Sequence, residues 1–255
     1  MLTQEQYIEQ AKQYGVVPVA AKLLADRHTP VTLLQRFYKG QEGIFLLESV
    51  EGGEKWGRYS FIGIDAHAFV EIHAEGVIVQ ECSCGATVSV AAHKSDGGDK
   101  RSIPHNGKPL EVLRELMQHY KTGEQPELPR FFGGLVGYFT YEMVSFFEKI
   151  PHRLEDEPFG AFVIPKTILT LDNLRQVLTV CIMTFPSKVQ ASEYASLYRD
   201  AVTEIERITT ELNKPLDTQS EKFESDQILA PIMSEEEYCK KIETIKEHVR
   251  KHWLP

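Results

Sequence analysis

Between Ile44 and Gly63 the chain reads IFLLESVEGGEKWGRYSFIG. Two short apolar stems flank a loop with glycines at 52, 53 and 57, so the stems must run antiparallel and the chain begins as a sheet of hairpins rather than as βαβ units. The first stem, Ile44–Ser49, is apolar and ends on an acid and a hydroxyl. The second, Arg58–Ile64, starts on a cation and turns apolar. Glu48, Ser49 and Arg58 therefore meet at the hairpin mouth above an apolar floor. A carboxylate, a hydroxyl and a guanidinium in that setting can hold a zwitterion with an apolar side chain; a solvated polar hairpin end fits the same residues.

The remaining chain repeats this antiparallel habit with helices between the strands. Thr3 and Gln6 form a capping box, with Leu2 and Tyr7 as its hydrophobic staple, for a first helix reaching Tyr14. VVPVAAKLLA is an extended strand with Pro18 near a sheet edge. Thr29 caps a helix with Pro30 at its first position and Gly40 at its stop. HAFVEIHAEGVIVQECSCGATVSVAA alternates and breaks at Gly76 and Gly85, which predicts a meander of exposed strands with His67 and His73 on a solvated face. Residues 94–108 are polar and predict a surface loop, followed by a helix with Leu110, Leu113, Met117 and Tyr120 at core spacing.

FFGGLVGYFTYEMVSFFEKI, residues 131–150, is an apolar strand carrying Gly133, Gly134 and Gly137, then a short helix over Tyr141–Lys149 that Pro151 ends. Glycines inside a strand signal a bulge or the close approach of another backbone or a ligand. AFVIPKTILTLDNLRQVLTVCIMTF is a long hairpin turning at Asp172-Asn173, after which Ser187 caps the longest helix. Tyr194, Tyr198, Ala201, Ile205, Ile208 and Leu212 line one face of that helix. The domain reading is 1–214, a polar linker at 215–231, and 232–255 as the opening helix of a second domain, capped by Ser234 and Glu237. The fold class is α+β: antiparallel sheets with flanking helices.

Function classes narrow by exclusion. A formal net charge of -9 over 255 residues disfavours nucleic acid or an anionic membrane as the main partner. The N-terminus lacks the parts of a secretory signal, and the four cysteines offer neither a disulfide framework nor a second pair for zinc, which points to reduced thiols in a cytoplasmic protein. There is no G-x-S-x-G, H-E-x-x-H or G-x-G-x-x-G after a strand, so the residues themselves assign no catalytic and no metal-binding position.

In register along residues 1–251, several stretches resemble the anthranilate synthase component I family. They are GVVPVAAKLLADRHTPVTLLQRF, LLESVEGGEKWGRYSFIG, FFGGLVGYFTYEMVSFFEKIP, ILTLDNLRQVLTV and MSEEEYCKKIETIKEHVRK. The resemblance implies the N-terminal part of that fold, with the chain ending before the chorismate-binding catalytic domain and inactive alone. For the full-length enzyme it implies conversion of chorismate and ammonia to anthranilate and pyruvate, with Mg2+ and a glutamine amidotransferase subunit. It also implies feedback inhibition by L-tryptophan, with Leu47, Glu48 and Ser49 on the inhibitor strand and Arg58 facing them. Glu48 then answers the ammonium, Ser49 a hydrogen bond and Arg58 the carboxylate. Two other readings are component I of aminodeoxychorismate synthase, in folate synthesis, and a free-standing amino-acid-binding module.

Overall fold

Two long strands carry the fold. In the computed structural model, β3 (Tyr59–Ile72) and β7 (Gly160–Asp172) pair antiparallel from Tyr59↔Asp172 to Ile72↔Gly160. The structure describes residues 1–48, 57–82, 99–151, 154, 157–216 and 233–252. It falls into two units, Met1–Leu216 and Asp217–Pro255, and the sheet belongs to the first.

Each long strand has a different neighbour on each half of its free side. β2 (Phe45–Leu47) pairs with the start of β3, and β4 (Gly76–Glu81) with its end. β6 (Val136–Phe139) pairs with the start of β7, and β8 (Val177–Thr184) with its end. Beyond them β1 (Val17–Leu24) lies against β8, and β5 (Lys100–Pro104) against β4. All these pairings are antiparallel. One sheet thus has two ends joined through β3 and β7, whose register shifts between Gly63 and Ala68.

Each end has its own core. At one end α1 (Gln4–Ala11), α2 (Pro30–Phe37) and α4 (Tyr194–Leu212) bury Tyr7, Leu33, Ile205 and Ile208 against Ile62, Leu169, Leu178 and Val180. At the other, α3 (Pro109–Gln118) buries Val112, Leu113 and Leu116 against Val70, Ile72, Val77 and Val79. The capping boxes at Thr3 and Thr29 are formed, and Pro30 occupies the first helical turn as expected. Pro18 lies on the edge strand β1, as expected of a proline in a sheet. The α4 stripe is buried at Ala201, Ile205, Ile208 and Leu212.

Several local expectations change. The described part of the expected meander, up to residue 82, is not exposed, because α3 covers one of its faces; the part with Gly85 lies outside the described residues. Residues 100–104, expected in a surface loop, form an edge strand paired to β4; its Lys100 and Arg101 suit an edge. The glycine-bearing strand is confined to Val136–Phe139, and the segment after it is a 3-10 turn, Tyr141–Phe146. Ser187 does not cap α4, which starts at Tyr194; its hydroxyl donates instead to the Gly15 carbonyl at 3.2 Å. α3 turns Val112, Leu113 and Leu116 inward and leaves Leu110 exposed.

In the second unit, α5 spans Glu235–His252, and the Ser234 hydroxyl accepts from the Glu237 N–H at 3.2 Å. Tyr238, Ile245 and Val249 are exposed along it. Among the described residues no helix is long and apolar enough to cross a membrane.

Candidate functional site

The hairpin read from the sequence is present, with Phe45↔Gly63, Leu46↔Ile62 and Leu47↔Phe61 in register. Its first strand is shorter than expected and its second continues well past Ile64. Leu47 and Glu48 are exposed at the mouth. Ser49 lies outside the described residues.

Antiparallel register places directly opposed residues on one face. Leu47 stands opposite Phe61, Phe61 opposite Thr170, Thr170 opposite Thr179, and Thr179 opposite Lys22. This row crosses β2, β3, β7, β8 and β1 on the side of the sheet away from α1, α2 and α4. The neighbouring row holds Tyr59, Asp172 and Val177. Aromatic rings cluster along the face: Phe131 meets Phe61 edge-on with centroids 5.0 Å apart, and Tyr59 lies 6.0 Å from Phe61.

Between this face and the segment Pro126–Pro129 is a cavity of about 300 Å³, lined by Lys22, Tyr59, Thr170, Asp172, Arg175 and Thr179 among others. Lys22 reaches Glu127 at 3.5 Å across it. The lining combines threonine hydroxyls, the charged side chains of Lys22, Arg175, Glu127 and Asp172, and the Tyr59 ring, which suits a small polar molecule.

Arg58 is not free at the hairpin mouth. Its Nε and Nη2 donate to the Asp172 carboxylate at 3.1, 3.1 and 2.7 Å, and its guanidinium lies 4.8 Å from the Tyr59 ring centroid. The same carboxylate accepts from the backbone N–H groups of Leu174 and Arg175 at 3.2 and 3.1 Å. Burial pushes the Asp172 pKa upward, but the Arg58 and backbone hydrogen bonds outweigh it and hold the carboxyl below its usual range. Next along the turn, Asn173 donates its backbone N–H to the Arg58 carbonyl at 2.8 Å, and its amide to the Gly57 carbonyl and the Ser60 hydroxyl.

The β7–β8 turn thus fastens the base of the first hairpin. Sequence reasoning marked Asp172-Asn173 as a turn and missed this second role. The signal available was a carboxylate and an amide side by side at a hairpin end. The turn itself is longer than two residues: Asp172 pairs with Val177, and Gln176 carries a positive φ of 52°.

The glycine-bearing segment meets the expectation of close approach at one position. A Cβ at Gly137 would stand 2.0 Å from the Ala161 carbonyl oxygen and 2.6 Å from the Phe162 Cα, so β6 can lie against β7 only with glycine there. Among the described residues no group of three or more His, Cys, Asp or Glu side chains is placed to hold a metal ion.

A family model described as chorismate binding enzyme matches residues 74–252. Anthranilate synthase component 1 of Acetivibrio thermocellus is 30% identical over 253 residues, covering 94% of this chain and 46% of that protein. The protein of the same name from Neisseria meningitidis serogroup B is 32% identical over 211 residues, covering 76% of this chain and 38% of that protein. The chain therefore spans less than half the length of these relatives. The crystal structure of anthranilate synthase component I from Streptococcus pneumoniae TIGR4 is similar with a TM-score of 0.50 at 19% identity, over 90% of this chain and 45% of that one, which supports the fold. The match from residue 74 overturns the expectation that the chain ends before its family's chorismate-binding region. That region takes in β4 to β8 and α3 to α5. The expectation of an inactive remnant rested on that boundary and falls with it.

Proposed function

Because this chain belongs to the chorismate-binding enzyme family, we propose that the protein acts as component I of anthranilate synthase. In this reading it converts chorismate and ammonia to anthranilate and pyruvate, with the ammonia supplied by a glutamine amidotransferase component II. The observation that carries the reading is the in-register similarity of 94% of the chain to a relative of that name. The tryptophan branch is preferred to folate synthesis because both relatives described above carry the anthranilate synthase name. Magnesium and a cytoplasmic location belong to the reading for the whole enzyme; no step is assigned to the metal, since the described residues offer no donor set for it.

The hairpin mouth supplies one wall of an L-tryptophan inhibitor site in this proposal. Leu47 contributes apolar surface and Glu48 faces the ammonium; Ser49 adds a hydrogen bond. Arg58 keeps its role toward the carboxylate in a modified form. Asp172 occupies Nε and Nη2, which orients the guanidinium and leaves Nη1 as the donor for a ligand. The ion pair also lowers the net charge there, so the carboxylate contact is weaker than an unpaired arginine would give.

Gene disruption tests the assignment directly. Loss of the gene encoding this chain should make growth depend on tryptophan, with rescue by anthranilate. Rescue by 4-aminobenzoate alone, or unaltered growth without tryptophan, would sink it. The inhibitor wall is tested separately in the whole protein. Glu48→Gln should raise the tryptophan concentration for half-inhibition roughly tenfold while leaving uninhibited turnover intact. Unchanged inhibition removes Glu48 from the site.

A further inference from the structure

A second cavity, of about 420 Å³, lies at the junction of the two sheet ends, where β3 and β7 change register and the end of β8 meets the first turns of α4. It is distinct from the hairpin mouth, and nothing in the proposed function uses it. Its walls include Ile182, Met183, Phe185 and Leu197, so most of its surface is apolar. Its volume is on the scale of sites that enclose small organic molecules.

Two polar groups stand out against those walls. His67 is stacked on Phe185 with centroids 3.5 Å apart and planes 13° apart, and its Nε2 is buried without a hydrogen-bond partner among the described residues. A buried ring nitrogen without a partner costs free energy unless something fills that role. Burial lowers the His67 pKa to about 4, so the ring is neutral near pH 7 and offers one donor and one acceptor. Lys166 is half-buried in the lining and makes no ion pair within 4.0 Å among the described residues.

The acids around the cavity are already engaged or lie at its margin. Glu81 pairs with Lys188 at 2.6 Å, and Glu204 holds Arg207 through both oxygens at 2.8 and 2.9 Å. Asp200 is exposed at the rim, and Asp65 acts on Lys166 only from beyond ion-pair distance. Among the described residues, Lys166 is the cation of this lining left without an ion pair.

We propose that this cavity is a binding site for a small aromatic monocarboxylate, its ring among Ile182, Met183, Leu197 and Phe185, its carboxylate on Lys166, and a hydrogen bond at His67. A carboxylate there forms a charge-assisted bond in a desolvated setting, while the ring replaces water along apolar walls. An ammonium ligand would meet the same lysine with repulsion. The inference is independent of anthranilate synthesis and stands or falls on binding alone.

The probe is 2-naphthoate, followed by its fluorescence on titration with the full chain. The expected dissociation constant is on the order of 0.1 mM. Naphthalene-2-methylamine, of similar shape and opposite charge, should bind at least about tenfold more weakly. Lys166→Met should weaken naphthoate binding roughly tenfold or more, and Lys166→Arg should restore it to within about threefold. His67→Phe keeps the stacked ring and should cost about three- to tenfold. Urea midpoints for each variant establish that it is folded. The site is overturned by no saturable binding of naphthoate, by equal binding of the amine, or by a folded Lys166→Met variant that binds like the parent.

Discussion

Asp65 and His67 stand two residues apart on β3, in the stretch where its register with β7 shifts, and they titrate in opposite directions. Burial, the leading cause, raises Asp65 from 3.8 to about 6, against the lowering influence of Lys166. Burial lowers His67 from 6.5 to about 4. Between pH 6.5 and 4 the unfolded chain holds a proton on His67 that the folded chain lacks, so acidification across this window costs stability. The gap is worth about 3 kcal/mol. Between pH 6 and 3.8 the folded chain holds a proton on Asp65 that the unfolded chain lacks, so acidification adds stability, again by about 3 kcal/mol. The two contributions cancel in the parent to within about 1 kcal/mol. Each substitution exposes the other group. Relative to the parent, His67→Phe should gain roughly 3 kcal/mol as pH falls from 6.5 to 4, and Asp65→Asn should lose about the same between pH 6 and 4. Urea unfolding at half-unit pH steps supplies the difference curves, in which all other carboxylates and histidines cancel. Flat curves, or two curves of the same sign, would refute the reasoning.

Other perturbations test the packing that positions the sheet. The Thr184 hydroxyl donates to the Val17 carbonyl at 2.7 Å, so the Tyr7 hydroxyl, also 2.7 Å away, must donate to it. Tyr7→Phe should therefore cost about 1 kcal/mol and Thr184→Val about 2–3 kcal/mol, because the latter strands two buried groups; the double variant should cost less than their sum in urea melts. Gly137→Ala drives a methyl into the β7 backbone and should destabilise by about 1–3 kcal/mol, with hydrogen-exchange protection lost first at Val136–Phe139. Ile208→Ala empties a fully buried position beneath α4 and should cost about 2–5 kcal/mol, lowering Tm by thermal melt.

Features under local chemical control are legible in the chain alone. Thr3 with Gln6, and Thr29 before Pro30, fixed two helix starts because a cap involves only neighbours in the chain. The spacing from Ala201 to Leu212 fixed the buried face of α4, and glycines between apolar stems fixed an antiparallel habit. Tertiary structure decided what depends on distant partners. Arg58 reads as a free cation until Asp172, 114 residues away, is brought beside it by the full-length pairing of β3 and β7. His67 reads as a solvated strand residue until Phe185 is laid over its ring at the end of β8. Alternation along a strand gives two faces but does not say which one a helix will cover. That choice falls to whichever face gains more from burial, and here it placed Leu47, Thr170, Thr179 and Lys22 on the side away from α1, α2 and α4.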